Sequence, residues 1–219
     1  MEQLLHLYSL LYDAAYPVVC FDERPCYLIG ETMTPLDPQP ATPGKPGQVA
    51  KEHYAYTKHG SCCLLAAIEP LTAKRLGQLP LQRTKREYAL FLKHIALAYP
   101  QASKIRLVQD NLNTHDISAL YETFDPEEAF ALAQRFEFYF TPKSASWLNM
   151  IEIEFSALSR QCLSRRIPTQ EQMEQEVLAL LQERQNKGIT INWQFSLQAA
   201  RTKFERHYPG TQQNAKLLA

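Results

Sequence analysis

Apolar residues fall along this chain in two periods. Short unbroken runs alternate with stretches where they recur every three or four positions, the pattern of covered strands interleaved with amphipathic helices. Pro17 to Phe21 is one such run, and it delivers Asp22-Glu23-Arg24-Pro25 at its carboxyl end. Ile105 to Gln109 is a second, and it delivers Asp110 before the turn Asn111-Leu112-Asn113-Thr114-His115. His53–Lys58 and Ser61–Ile68 read as two strands paired as a hairpin across His59-Gly60, and Phe136–Phe140 as a further strand. Helical spacing covers residues 2–15, a lead-in with Leu4, Leu5, Tyr8, Leu11 and Tyr12 on one face. It returns after the capping-box sequence Thr84-x-x-Glu87, in pieces near 116–122 and 126–134, along Ser146–Leu163, and over Thr169–Asn186. Asp125 and Pro126 suit the cap and first position of the 126–134 helix. Five prolines from Pro35 to Pro46, with Gly44 and Gly47, mark a loop. Residues 189–210 form a mixed tail. The pattern predicts an α/β chain in three parts: a lead-in over 1–15, a domain of strands and helices over 16–165, and a helical extension over 166–219.

Composition narrows the classes. With 219 residues, 45% of them hydrophobic, the chain can bury a full core. No stretch is apolar enough to span a bilayer and the opening residues lack an export signal, so the expectation is a cytoplasmic protein with no membrane partner. The five cysteines lie mostly in apolar runs without a zinc spacing and read as reduced core thiols. Lys plus Arg and Asp plus Glu both number 23, which argues against a domain held on nucleic acid by bulk charge alone. Basic clusters at Lys74-Arg75, Arg83–Arg86, Arg160–Arg166 and Arg201–Arg206 read singly as solvated faces.

Two strands that each deliver an aspartate, followed by a helix with a carboxylate beside its buried face, can bring three acids to one rim of a sheet, where open α/β architectures bind ligands. Such acids repel one another unless a cation neutralises them, and oxygen-only ligation suits magnesium or manganese. The helix offers two candidates, Glu152 and Glu154. Two residues apart is about 200° around a helix, so only one faces the site, and periodicity does not choose between them. The remaining alternatives are a hydrogen-bonded turn for Asp110, core packing for Trp147 and a helix-capping role for His115.

Three segments carry a resemblance: Asp22-Glu23-Arg24-Pro25, Val108 through His115, and Thr141-Pro142-Lys143-Ser144-Ala145-Ser146-Trp147-Leu148-Asn149-Met150-Ile151-Glu152. In order, they resemble the three acidic motifs of the mariner-like superfamily of DDE transposases, in its bacterial insertion-sequence branch. Tyr54-x-Tyr56 before Gly60 and Asn192-Trp193-Gln194-Phe195 are similar to that branch as well. The resemblance implies an RNase H-like fold and a catalytic, metal-binding trio of Asp22, Asp110 and Glu152, with Asn149 one turn before Glu152 and Glu154 left spare. It implies two magnesium ions, replaceable by manganese, that support hydrolytic nicking at transposon ends and attack of the freed 3′-hydroxyl on a TA-type target. It also implies a homodimer in synapsis. By position, Asn111, His115, Lys143 and Trp147 would contact DNA or support the acids. The spacing from Asp110 to Glu152 exceeds that of animal members and leaves room for the helix near 126–134.

Members of this branch usually begin with helix-turn-helix units that recognise transposon ends. Only a few lead-in residues precede Asp22 here, so the expectation is a catalytic half without that region: a fragment, a frame-split partner or a decayed copy. The alternative is an inactive or recruited remnant that binds DNA or protein without cutting. An aspartate-nucleophile phosphatase would want a second aspartate at position 24, which is Arg. No phosphate-cradling glycine loop, His-Glu-x-x-His or nucleophile elbow occurs.

Overall fold

The computed structural model describes residues 1–205, so the end of the expected extension, 206–219, and Arg206 of the last basic cluster lie outside the described residues. A five-stranded sheet runs in the order β3-β2-β1-β4-β5. Its strands are β1 Val18–Glu31, β2 Tyr56–Ile68, β3 Arg75–Gln78, β4 Ile105–Gln109 and β5 Phe136–Phe140. β1 pairs antiparallel with β2 and β2 with β3, whereas β1–β4 and β4–β5 are parallel. Helices α1 Glu2–Ser9, α2 Lys85–Ala98, α3 Ser118–Thr123, α4 Pro126–Ala133, α5 Ile151–Gln161, α6 Gln170–Asn186 and α7 Leu197–Lys203 flank it. This mixed sheet between helices is the expected RNase H-like α/β arrangement.

Strand alternation divides the core into two layers. Cys20, Cys26 and Leu28 of β1, Leu64, Ala66 and Ile68 of β2, and Val108 of β4 face α1, α5 and α6, against Ile151, Phe155, Leu158 and Val177. Val19, Phe21, Leu65, Ala67 and Leu107 face the opposite way, against Tyr88, Phe91, Leu92 and Ile95 of α2 and Ala119, Leu120 and Ala129 of α3 and α4. Side chains of opposite parity on one strand therefore serve different layers. All five cysteines are buried and unbridged, as free core thiols.

Several local expectations change. Tyr56–Ile68 is one strand laid along β1, and His59-Gly60 is a bulge within it: the register passes from Tyr27↔Ser61 to Ile29↔Lys58, one extra residue on β2. Gly60, at φ +104°, takes a conformation open to glycine and costly elsewhere, so the chain stays in the ladder. β1 likewise continues past Asp22 to Glu31. Pro25 is tolerated because the β1–β4 ladder ends at Cys20↔Val108, leaving an open edge on that side, while the backbone N–H of its partner Cys63 turns away to Pro80 O.

The single helix expected over 146–163 is split. A 3-10 turn at Ser146–Leu148 ends at Asn149, whose extended backbone (φ −85°, ψ 114°) re-aims the chain before α5 begins. Caps on α4 and α6 follow the sequence: Asp125 accepts from the N–H groups of Glu127 and Glu128, and Thr169 from that of Gln172. At α2 the Thr84 hydroxyl instead bonds the Glu87 carboxylate, without a backbone cap. β3 carries Gly77, where a Cβ would come within 2.6 Å of Leu181 Cδ1, so the missing side chain lets α6 close on the sheet edge.

Candidate metal centre

The parallel register places two of the acids. Val18↔Arg106 and Cys20↔Val108 share one offset, and the same offset carries Asp22 to the level of Asp110 on the neighbouring chain segment. Both have the parity of Cys20 and Val108, so both face the α5 layer. Glu152, in the first turn of α5, comes from that layer. Asp22, Asp110 and Glu152 line one cavity of about 360 Å³ with Glu23, Arg24, Pro25, Ser146 and Phe155.

Each of the three carboxylates keeps oxygen atoms that the described protein does not use. Asp22 accepts one hydrogen bond at Oδ1, from the Glu23 N–H at 2.8 Å. Asp110 takes both its bonds at Oδ1, from the Leu112 N–H at 3.2 Å and from His115 Nδ1 at 2.6 Å. The first is the hydrogen-bonded turn that the sequence left open as the alternative for Asp110. No side-chain hydrogen bond or ion pair among the described residues engages Glu152. Burial pushes the Asp22 carboxyl up to about 7, with the charges of Asp110 and Glu152 adding to it against the Glu23 N–H and His115. In this conformation no three His, Cys, Asp or Glu side chains among the described residues are closed up as a formed ligand cluster. The donor set still fits divalent magnesium or manganese: hard oxygens with open lone pairs, crowded negative charge, and one acid whose ionisation a cation would favour.

Glu154, left spare by the resemblance, does not line the acid cavity and has partners of its own. It is fully buried. Arg75 reaches it through Nε and Nη2 at 3.0 Å each, and Arg184 through Nε at 2.7 Å and Nη2 at 3.2 Å. Burial raises its pKa, but the hydrogen bonds and charges of the two arginines outweigh that and leave it below the usual carboxylate range. Arg75, read from sequence as part of a solvated cluster, is 6% exposed. The triad joins α5 to β3 and α6.

His115, expected to contact DNA, support the acids or cap a helix, lies against Asp110. It is 3% exposed, edge-on to Phe21 and stacked on Tyr88, too buried to meet DNA and not a helix cap. Nδ1 meets Asp110, and Nε2 meets Glu23 Oε2 at 3.1 Å. A ring that donates to both carboxylates is doubly protonated. Burial opposes that charge, yet hydrogen bonding and the charges of Glu23 and Asp110 prevail, so the His115 pKa is raised. Arg83 Nη1 lies 2.7 Å from Glu23 Oε1, an ion pair outside hydrogen-bond alignment. Behind the ring, Tyr88 donates to Gln109 Oε1 at 2.8 Å and Gln109 Nε2 donates to His115 O at 3.1 Å.

Glu23, Arg83, Tyr88 and Gln109 escape sequence reasoning. The available signal was parity: Glu23 follows Asp22, so it must face the α2 layer when Asp22 faces α5. Among the other expected residues, Asn149 is buried and donates from Nδ2 to Phe21 O at 2.8 Å, tying the start of α5 to the residue before Asp22. Asn111, exposed, reaches Thr141 O at 3.4 Å and links the loops after β4 and β5. Lys143 is exposed in the second of those loops. Trp147, expected mainly as a core residue, is 45% exposed and stands edge-to-face with Phe195 at 5.5 Å.

A sequence model of the family described as DDE superfamily endonuclease matches residues 17–174, well over half of the chain. That interval contains Asp22, Asp110 and Glu152. Among curated proteins, no match to the chain is found.

Proposed function

Because the chain belongs to the DDE superfamily of endonucleases, we propose that it is the catalytic domain of a transposase of the bacterial, mariner-like branch, cutting and rejoining DNA phosphodiester bonds with divalent metal. One observation carries this reading: acids from β1, from the end of β4 and from α5 line a single cavity with carboxylate oxygens left open.

Asp22, Asp110 and Glu152 would hold two magnesium ions, or manganese in their place. The ions would supply the charge that activates a water or a 3′-hydroxyl and steadies the entering and leaving oxygens of an in-line displacement. The protein's part is placement. Asn149 clamps α5 to the Phe21 carbonyl and so fixes Glu152 against Asp22. His115, held by Glu23 and wedged between Phe21 and Tyr88, takes up Asp110 Oδ1 and aims that carboxylate. Asn111, Lys143 and Trp147, exposed in the segments that follow β4 and β5, would contact the DNA.

The substrate is DNA, as transposon ends and a TA-type target, and synapsis joins two copies of the chain. No helix among the described residues is long and apolar enough to cross a membrane. Reduced, buried thiols and a DNA substrate favour the cytoplasm. The test is nicking of a supercoiled plasmid with magnesium or manganese. Nicking by the wild type, lost in Asp110→Asn with the fold intact, supports the reading; equal nicking by both, or by neither, defeats it.

A further inference from the structure

Arg24 shares a face of β1 with Asp22, because residues two apart on a strand point the same way. It is half-buried and, among the described residues, is the only basic one lining the acid cavity. Its guanidinium is used on one side. Nη1 donates to the Phe155 carbonyl at 2.9 Å and to the Ser159 hydroxyl, and Ser159 Oγ in turn donates to Phe155 O at 2.7 Å. These two bonds exhaust the Nη1 hydrogens. Nε and Nη2, with three N–H donors between them, have no partner among the described residues, and neither atom is sealed from solvent.

The contrast with the other arginines bound to α5 is direct. Arg75 and Arg184 both spend their Nε–Nη2 edges on the Glu154 carboxylate. At Arg24 the same edge, a planar fork matched to two oxygens of a carboxylate or phosphate, is held ready and unspent. Neither Asp22 nor Glu152 takes it. A cation anchored by neutral acceptors, beside carboxylates it does not pair with, is placed for an anion from outside.

We propose that Arg24 binds a backbone phosphate of the DNA next to the scissile bond, through its Nε–Nη2 edge, with Nη1 anchored on α5. This rests on the nuclease reading above and adds a substrate-contacting residue to it. The phosphate would sit at the lip of the cavity and bring the neighbouring phosphodiester over the acids.

The test is equilibrium binding of a short fluorescent DNA duplex by the full chain without divalent metal, at several salt concentrations, for wild type, Arg24→Met and Arg24→Lys. Loss of one phosphate contact reduces the slope of log affinity against log salt by about 0.9, with roughly tenfold weaker binding at low salt. Arg24→Lys keeps a charge on the strand and recovers most of the slope, a rescue that a mere β1–α5 brace would not show. Melting temperatures track the brace separately. An Arg24→Met protein with the wild-type slope and affinity overturns the proposal. Plasmid nicking by wild type and Asp110→Asn, run alongside, keeps the two readings apart: if the acid-dependent nicking stands and the Arg24 slope does not move, only the phosphate contact is lost. A wild type that neither binds the duplex nor nicks the plasmid takes both down.

Discussion

Two acidic centres share helix α5, and they are built in opposite ways. Glu154 is enclosed, and two arginines engage both of its oxygens. Glu152, two residues earlier, enters a cavity with Asp22 and Asp110, and no side chain among the described residues pairs with it. Folding alone favours the first arrangement, since a buried carboxylate without a partner costs free energy. The second persists only where something other than folding is served, and crowded acids with open oxygens point to a cation. Their ionisation diverges accordingly: Glu154 is held below the ordinary carboxylate range, whereas Asp22 is pushed up to about 7.

That divergence can be broken by mutation. The largest effect expected is on cutting: Asp110→Asn and Glu152→Gln reduce the nicking rate by more than about a hundredfold, beyond the loss typical for a ligand's supporting partners, while melting temperature stays near wild type. Glu154→Gln reverses the pattern. Leaving Arg75 and Arg184 buried around a neutral amide costs about 3–5 kcal/mol of stability, measured by urea unfolding. If Glu152→Gln unfolds the protein and Glu154→Gln does not, the two roles have been exchanged.

Smaller effects sharpen the comparison. His115→Gln, which cannot bridge Glu23 and Asp110, weakens manganese binding by about 10- to 100-fold in a calorimetric titration. Glu23→Gln moves it in the same direction by less, because His115 keeps its contact with Asp110. The smallest effect is on stability against pH. Asp22 has a folded pKa of about 7, above its ordinary value, so the metal-free protein gains stability as pH falls through 7 toward the ordinary carboxylate range. Asp22→Asn therefore melts higher than wild type at pH 8, and the gap closes by about pH 4. A gap that is constant with pH shows that Asp22 does not ionise in a crowded acid site.

How much of this was legible varies with the range of the interactions. β4, β5, α4 and α6 are set by local pattern and caps, and the chain forms them within a residue or two of the expected bounds. His59-Gly60 looks like a turn locally, but the β1 ladder absorbs it as a bulge, which only the pairing partner decides. The acids at 22 and 110 were visible as residues delivered by two strands; the β1–β4 register that levels them was not. Periodicity left Glu152 and Glu154 equivalent. Arg75 and Arg184 separate them from positions remote in sequence, on β3 and α6. The readings of His115 stayed open for the same reason, since its partner Glu23 lies 92 positions away. Pairings of this kind have no period to betray them.

The measurement closest to the central claim is a calorimetric titration of manganese into the metal-free chain at pH 8, compared across wild type, Asp22→Asn, Asp110→Asn and Glu154→Gln. Wild type is expected to bind two ions saturably, with binding lost in both aspartate variants and kept by whatever fraction of the Glu154 variant remains folded. Binding that is absent in wild type, or unchanged when either aspartate is replaced, would contradict that claim.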